Sequence, residues 1–335
     1  MVRRTGRLVG MVLAALVVAA MTAWAALAIH YSDLPSARLR TALAIAFASG
    51  TILAFAVLPR RRRTVVAFLV VFAVVVGWWL RIAPSNDRDW QPEVSRLVYA
   101  DVDGQRVALH NIRNFDYRTK IDFTPRWYDA TFDLADLRSA DLIACYWMGD
   151  AIAHVMVSFG FTGDRYVAVS IETRKERGED YSTIAGFFKQ YELVYVVGDE
   201  RDLIRVRTNY REPKEDTYVY RLHIPIENTR RVFLDYVRKI NELKTRPAFY
   251  NTLSTNCTTS IFFHTRVNPG SPPLSWKVLL SGYVPQYAYE RARLDTSLPF
   301  DELRRRSRVN ERARAADQAA DFSRRIRDGL PGTTP

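Results

Sequence analysis

The chain has 335 residues and a formal net charge of +12, and its length accommodates one good-sized domain and an additional segment. Residues 1–85 hold ten of the 48 basic residues and one of the 36 acidic residues, which leaves 38 basic against 35 acidic residues for the remainder. The excess charge therefore belongs to the N-terminal region, and this distribution excludes nucleic acid as the expected partner.

Three apolar segments dominate this N-terminal region: Leu8–Ile29, Leu39–Leu58 and Thr64–Ala83. Each has roughly 20 residues, which is the length that a helix needs to cross a bilayer. Small residues around Trp24 also fit the cleavage site of a signal peptide. The long first apolar run and the two spans that follow favour a retained anchor. We predict a membrane anchor of three transmembrane helices in residues 1–85.

The orientation of this anchor is predicted from its basic flanks. The stretch "MVRRTGR" precedes the first span, and Arg60–Arg63 joins the second span to the third. Because loops rich in Lys and Arg stay in the cytoplasm, the N-terminus is expected there. Three spans then place everything after Pro84 on the outer face.

Residues 86–95 are polar, contain proline and are interpreted as a linker to a single α+β domain at 96–300. Residues 301–335 are interpreted as a charged C-terminal helix and tail, solvated or packed on the domain rather than on the membrane. Helices are predicted within 182–190, from a cap at Asn228, and from the "NCTT" stretch Asn256–Thr259. Alternating or continuous apolar patterns predict strands within 105–112, 141–148, 152–161, 166–172, 191–197 and 217–224.

Cys257 is one of only two cysteines in the chain, and it lies at the predicted start of a helix. The positive end of a helix dipole stabilises a thiolate, and unpaired N–H groups there can receive an oxyanion. Tyr250 and Asn256 flank the cysteine and are candidates for binding the oxyanion, although packing and capping are equally consistent roles. A disulfide between Cys145 and Cys257, or an inert buried thiol, remains an alternative.

His154 is the preferred base for this thiol. His264 lies seven residues beyond Cys257 on the same predicted helix, roughly 10 Å away along the axis, so it cannot reach the thiol. In the strand at 152–161, alternation places His154 on the face opposite an entirely apolar one. If residues 162–164 form a hairpin loop, residues whose numbers sum to 326 pair across the strands, so Glu172 lies opposite His154. Thiolate, imidazole and carboxylate together are the groups needed for acyl transfer through a thioester.

Five stretches also carry a family resemblance. From about Asn111 to Thr259, with "SGYVPQYAYE" beyond, the sequence resembles a family of membrane-anchored bacterial domains named for Lnb, the lipoprotein intramolecular acyltransferase. The stretches are "NIRNFDYR", "WMGDAIAHVMVSFGF", "VAVSIETRKERGEDYS", "GFFKQYELVYVVGDERDLIRVRTNYR" and "FYNTLSTNCTT".

The resemblance implies a permuted papain-like, NlpC-type fold, with an antiparallel sheet packed on the cysteine-bearing helix. It further implies Cys257 as the nucleophile, His154 as the base and, less strictly, Glu172 as the third member. The location that it implies is the bacterial inner membrane, with the catalytic domain in the periplasm.

We therefore expect a membrane-anchored thiol acyltransferase or lipid-ester hydrolase that moves an acyl chain on bacterial lipoproteins. Its partners would be the membrane and a lipidated protein or lipid ester, and no cofactor or metal is expected. One alternative is a cell-wall peptidase or amidase that uses the same residues. Another is a non-enzymatic envelope scaffold or sensor in which Cys257 is buried or bridged. The oligomeric state stays open.

Overall fold

A computed structural model describes residues 2–333, without the side chains of Val2, Arg3, Arg4 and Arg7. The chain divides into two compact units, Met1–Ser85 with Tyr181–Tyr191, and Asn86–Asp180 with Glu192–Pro335. Part of the basic flank used to predict the orientation, and Thr334 and Pro335 of the predicted tail, lie outside the described residues.

The first unit is built from three long apolar helices. They are α1 (Val2–His30), α2 (Ala37–Val57) and α3 (Arg61–Arg81). Within residues 2–333, these three helices have the length and apolar composition needed to cross a membrane. Most of their large apolar side chains are exposed, as a lipid-facing surface requires. The prediction of three N-terminal membrane helices is therefore confirmed.

The segment Tyr181–Tyr191 belongs to this first unit rather than to the sheet domain. The helix predicted within 182–190 is only a single turn, Ala185–Phe187. Lys189 has a positive φ of 60°, and this left-handed conformation ends the turn before a longer helix can form.

The second unit is an α/β domain around a mixed eight-stranded sheet. The strands are β1 (Tyr99–Asp103), β2 (Arg106–Arg113), β3 (Asp116–Tyr117), β4 (Phe123–Thr124), β5 (Trp127–Asp133), β6 (Leu137–Tyr146), β7 (Ala153–Phe161), β8 (Arg165–Arg174), β9 (Glu192–Gly198) and β10 (Asp216–Arg221). The sheet order is β1-β2-β9-β8-β7-β6-β10, β5 also pairs with β2, and β3 with β4 forms a separate ribbon. The expectation of an antiparallel sheet is corrected by one pairing, because β2 and β9 run parallel at Arg113 and Gly198.

Eight α-helices among the described residues complete this unit. They are α4 (Glu200–Leu203), α5 (Ile226–Thr245), α6 (Cys257–Thr265), α7 (Trp276–Leu279), α8 (Val284–Glu290), α9 (Phe300–Ser307), α10 (Asn310–Ala315) and α11 (Phe322–Arg325). The helix predicted from a cap at Asn228 begins earlier, after Pro225. Pro225 lacks an N–H and has φ fixed at −55°, so it suits a helix start.

The sheet is covered on both faces. On one face Phe159 contacts Phe233 and Tyr236 of α5, and α6 packs against β7 and β8. On the other face Met156 and Cys145 share a core with Leu203 of α4 and with the C-terminal helices. Because β7 is buried on both sides, only its first residues are near solvent.

The C-terminal region differs from the single charged helix that was predicted. It contains three short helices, α9, α10 and α11. Their buried apolar residues and those of the connecting turns join the core that includes Cys145 and Met156. The buried residues are Val309, Ala313, Ala316, Phe322, Ile326 and Leu330. The predicted linker 86–95 is folded too, since Trp90 and Val94 pack into the same core.

Candidate active site

Cys257 is the first residue of α6, as the capping pattern predicted. The Oδ1 atom of Asn256 accepts the N–H of Thr259 at 2.9 Å, and the Thr259 hydroxyl accepts the N–H of Asn256 at 2.9 Å. This reciprocal capping box fixes the start of the helix. Cys257 is half-buried, and as the first residue of α6 it lies at the positive end of the helix dipole.

His154 is the second residue of β7 and faces this thiol. The β7–β8 register pairs Met156 with Ser170 and Phe161 with Arg165, which is the predicted register with paired numbers summing to 326. The loop at residues 162–164 is the predicted one, with Gly163 and Asp164 at positive φ. Continuing this register brings Glu172 to His154, and their side chains lie 3.3 Å apart.

A serine lies between the imidazole and the carboxylate. His154 Nε2 lies 2.6 Å from Ser170 Oγ, and the Ser170 hydroxyl donates to Glu172 Oε1 at 2.7 Å. With Nε2 occupied in this way, Nδ1 is the ring atom left for the Cys257 thiol. The backbone N–H of Val155 also hydrogen-bonds to the sulfur.

Arg207 holds the carboxylate from its other side. Its Nη2 donates to Glu172 Oε1 at 2.9 Å, and its Nη1 donates to the carbonyl of Leu203 at 2.7 Å. Arg207 lies almost fully buried in a π-helical turn, Val206–Tyr210, and Glu215 lies 3.6 Å from its Nε. Wide turns of this kind are frequent at functional sites.

The electrostatics of the site favour a thiolate beside an imidazolium. Burial alone would lower the pKa of His154, but the charge of Glu172 and hydrogen bonds to Cys257 and Glu172 outweigh it and raise the pKa to about 9. Burial alone would raise the pKa of Cys257, but the hydrogen bond and charge of His154 and the N–H of Val155 lower it. The two shifts belong to one coupled pair.

The pKa of Glu172 lies well below its usual value. Burial opposes this shift, but the charge and hydrogen bond of His154, the charge of Arg207 and the hydroxyl of Ser170 outweigh burial. Glu172 is therefore ionised at neutral pH, and its negative charge is what keeps the proton on His154.

Two of these side chains were missing from the sequence prediction. Ser170 precedes Glu172 by two residues, so the strand alternation that placed Glu172 beside His154 places Ser170 there too. Arg207 gave no comparable signal, because its turn has no regular period and its partner lies 35 residues earlier in the chain.

The two oxyanion candidates have different surroundings. Besides accepting the N–H of Thr259, Asn256 donates from Nδ2 to the carbonyl of Thr252 at 2.7 Å, so both ends of its amide take part in capping. Tyr250 is buried just before α6. A role for either residue in binding an oxyanion stays a prediction.

The remaining candidate groups lie elsewhere. His264 hydrogen-bonds to Asp235 at 2.7 Å and to the Tyr195 hydroxyl at 2.8 Å, so it joins α6 to α5 and β9. Cys145 and Cys257 are both free thiols, which excludes the disulfide alternative. Burial raises the pKa of the fully buried Cys145 to about 12, so this second cysteine is inert.

An apolar cavity of about 160 Å³ lies along one face of α6. Thr258, Ile261 and Phe262 of α6 form one wall, and Val157 of β7 and Ala288 of α8 lie among the residues opposite. Thr258 is the residue directly after Cys257, so the cavity follows the helix that carries the thiol.

We expect the Glu172→Gln variant to lose activity at the alkaline end of the pH range over which the protein is active. Glu172 raises the pKa of His154, so removing its charge lowers that pKa from about 9. The imidazolium, which donates the proton to the leaving group, is then lost at lower pH, so the alkaline fall in the rate of substrate turnover moves to lower pH. Glu176→Gln, which removes a carboxylate from an ion pair with Arg88, is the matched control and should leave this fall in place.

Taken together, the chain is a membrane-helix protein whose α/β domain places a cysteine at a helix start beside a histidine, a serine and a carboxylate. Residues 123–282 match the family model described as the Lnb N-terminal periplasmic domain, which confirms the predicted family for this part of the chain. The matched stretch contains Cys257, His154 and Glu172. No curated protein and no solved structure matches the chain.

Proposed function

We propose that this protein is a membrane-anchored, extracytoplasmic thiol acyltransferase or lipid-ester hydrolase that acts on bacterial lipoproteins or related lipid esters. The observation that carries the proposal is the position of Cys257 at the start of α6, beside an imidazole held by Ser170 and Glu172. This set of groups supports nucleophilic attack on an ester carbonyl.

In the first half of the reaction, the Cys257 thiolate attacks the carbonyl carbon of an acyl ester. The N–H groups at the start of α6, apart from that of Thr259, which the capping box occupies, are suited to receive the oxyanion. The tetrahedral intermediate then collapses to a thioester of Cys257. The imidazolium of His154 donates its proton to the departing alkoxide, which leaves as an alcohol.

In the second half, an amine or water attacks the thioester carbonyl, and neutral His154 accepts the proton of the attacking group. Cys257 leaves as a thiolate, and the imidazolium is regenerated. Glu172 and Arg207 do not touch the substrate in this scheme. They hold the charge and the orientation of His154 in both halves, Glu172 by attracting the proton and Arg207 by keeping Glu172 ionised.

The apolar cavity along α6 favours a lipid substrate over the cell-wall alternative. A peptidase or amidase of the cell wall binds sugars and charged peptides, which need polar partners, whereas the cavity beside Thr258 and Ile261 is lined mainly by apolar side chains. Burial of each methylene of an acyl chain contributes about 0.8 kcal/mol. The proposal places the acyl chain of an ester held at Cys257 in this space.

We expect the Ala288→Leu variant to discriminate against long acyl chains. Filling the cavity would exclude about two methylenes, and the lost burial of roughly 1.6 kcal/mol corresponds to about a tenfold lower kcat/KM. Substrates with a very short acyl group should be turned over as before. Gln286→Leu, on the same helix but outside the residues that line the cavity, is the control; an equal loss for both chain lengths would contradict the role of the cavity.

The orientation, location and fold relationship belong to the same proposal. The basic stretch Arg60–Arg63, at the start of α3, supports a cytoplasmic N-terminus, and the family's periplasmic description supports a domain on the outer side of the inner membrane. A cysteine-bearing helix packed on a sheet strand that carries the histidine supports a permuted papain-like arrangement.

The test is incubation of the purified full chain with a diacylated lipopeptide, with acyl migration followed by mass spectrometry. Migration to the terminal amine supports a transferase, and release of fatty acid supports a hydrolase. Activity on peptidoglycan fragments alone would favour the cell-wall alternative, and turnover that persists in Cys257→Ser would remove the mechanism.

A further inference from the structure

The segment Tyr181–Tyr191 has a folded structure of its own within the first unit. Its N–H groups at Gly186 and Phe188 donate to the carbonyls of Ser182 and Ala185 at 3.2 and 2.9 Å. The Tyr191 hydroxyl accepts the N–H of Ser182 at 3.0 Å and so closes the base of the segment. The chain therefore holds a compact turn between β8 and β9 instead of a simple connection.

One face of this turn packs against the membrane helices. The ring of Phe188 stacks on Tyr31, with 5.9 Å between ring centroids, and lies 6.3 Å from the ring of Trp24. Ala185, three residues before Phe188, is also buried. The inner face is thus apolar and is covered by the end of α1.

Lys189 connects the segment to the end of α3 by hydrogen bonds. Its ammonium donates to the carbonyls of Trp79, Leu80 and Ile82 at 3.0, 3.2 and 3.0 Å. The last carbonyls of a helix have no intrahelical donor, and a cation there is favoured by the helix dipole. These contacts therefore hold the segment at the level of the last turn of α3, which sets its depth in the bilayer.

The contacts with α1 indicate the same depth in the bilayer. Trp24 lies six residues before the end of this helix, about 9 Å along its axis, and Tyr31 follows its end. Trp24 and Trp79 are in contact, with ring centroids 5.3 Å apart, so α1 and α3 end at the same side of the helix bundle. Trp and Tyr are enriched where spans meet the lipid headgroups, which places the segment at one interface of the bilayer.

The outer face of the turn is apolar as well. Ile184 and Phe187, three residues apart, are 53% and 42% exposed, and Tyr181 beside them is 50% exposed. Apart from Thr183, the exposed side chains of this turn are apolar, and an exposed apolar surface marks a contact with a membrane or a protein partner. Leu80, whose carbonyl accepts from Lys189, also has an exposed side chain.

We propose that Tyr181–Tyr191 is a fourth membrane contact, a turn that lies in the bilayer interface and inserts Ile184 and Phe187 into lipid. The occupant of this surface is lipid rather than another protein, because Lys189 holds the segment at the last turn of a spanning helix whose own large apolar side chains are exposed. Burial of the two side chains adds the apolar contact typical of interfacial segments.

Spin labels in lipid nanodiscs test this proposal without any requirement for activity. Ile184→Cys and Phe187→Cys would be labelled separately in full-length Cys257→Ser protein, in which Cys145 is fully buried and does not react. Collision rates of each label with oxygen, which partitions into lipid, and with a water-soluble nickel chelate would be measured by electron paramagnetic resonance. Val74→Cys, 66% exposed in α3, gives the lipid reference, and Glu311→Cys, a charged and exposed position, gives the water reference.

We expect the ratio of oxygen to nickel collisions at both positions to lie near that of the Val74 label and severalfold above that of the Glu311 label. Ratios near that of the Glu311 label would overturn the proposal. Low collision rates with both reagents would also overturn it, because they would mean that protein rather than lipid covers the turn. The acyl-transfer proposal is untouched by either result.

Discussion

Replacing Cys257 with serine is expected to lower the rate of acyl transfer by about 10⁴-fold or more. The serine hydroxyl keeps the shape of the site, but its proton is far harder to remove than that of the thiol, whose pKa is lowered by the hydrogen bond and charge of His154 once burial is offset. The measurement is single-turnover acyl transfer from a lipopeptide, with Cys145→Ser as the control that should retain full activity.

A double variant tests whether Cys257 and His154 act together as a catalytic pair. If Cys257 and His154 act as one unit, Cys257→Ser, His154→Ala and their combination should show nearly the same loss, because removing either partner already disables the pair. Losses that multiply would mean independent roles and would contradict the mechanism. In His154→Ala alone, alkylation of Cys257 at neutral pH should also slow, since the pKa of the thiol returns upward.

The parts of this site that the sequence predicted are those governed by local rules. Asn256 marks the start of α6 because asparagine is one of the residue types preferred at a helix N-cap. The pairing of His154 with Glu172 follows from a three-residue loop at Gly163, since the loop length sets the register of the whole hairpin. Both rules act over a few residues, so one sequence is enough to apply them.

The parts that were missed depend on contacts between distant segments. Arg207 approaches Glu172 from a turn with no periodic pattern. The C-terminal region gave a misleading pattern, because its buried apolar residues are spread over three short helices and the turns between them, and no single helix has a continuous apolar stripe. The parallel contact of β2 with β9 is equally non-local and joins residues 85 positions apart, Arg113 and Gly198.

The C-terminal region is joined to the sheet by a buried ionic cluster centred on Arg327. Its guanidinium donates to Asp141 Oδ2 at 2.7 Å and to Glu200 Oε1 at 2.6 Å, and both carboxylates are fully buried. It also lies 3.6 Å from the ring of Tyr166. The charges of Glu200 and Asp141 outweigh the effect of burial and raise the pKa of Arg327, so this guanidinium stays charged.

We therefore expect Arg327→Ala to lower the free energy of unfolding by about 3–5 kcal/mol, because it leaves two buried carboxylates without their shared cation. Asp141 keeps Arg221 at 2.6 Å, but Glu200 keeps only the hydroxyl of Ser158, also at 2.6 Å. The measurement is denaturant unfolding of the full chain in detergent micelles, followed by near-ultraviolet circular dichroism. Arg325→Ala, two residues away and in an exposed pair with Asp321, should change the stability by about 1 kcal/mol or less. Equal effects of the two substitutions would show that the C-terminal helices are held by their apolar contacts with the sheet and not by this buried charge.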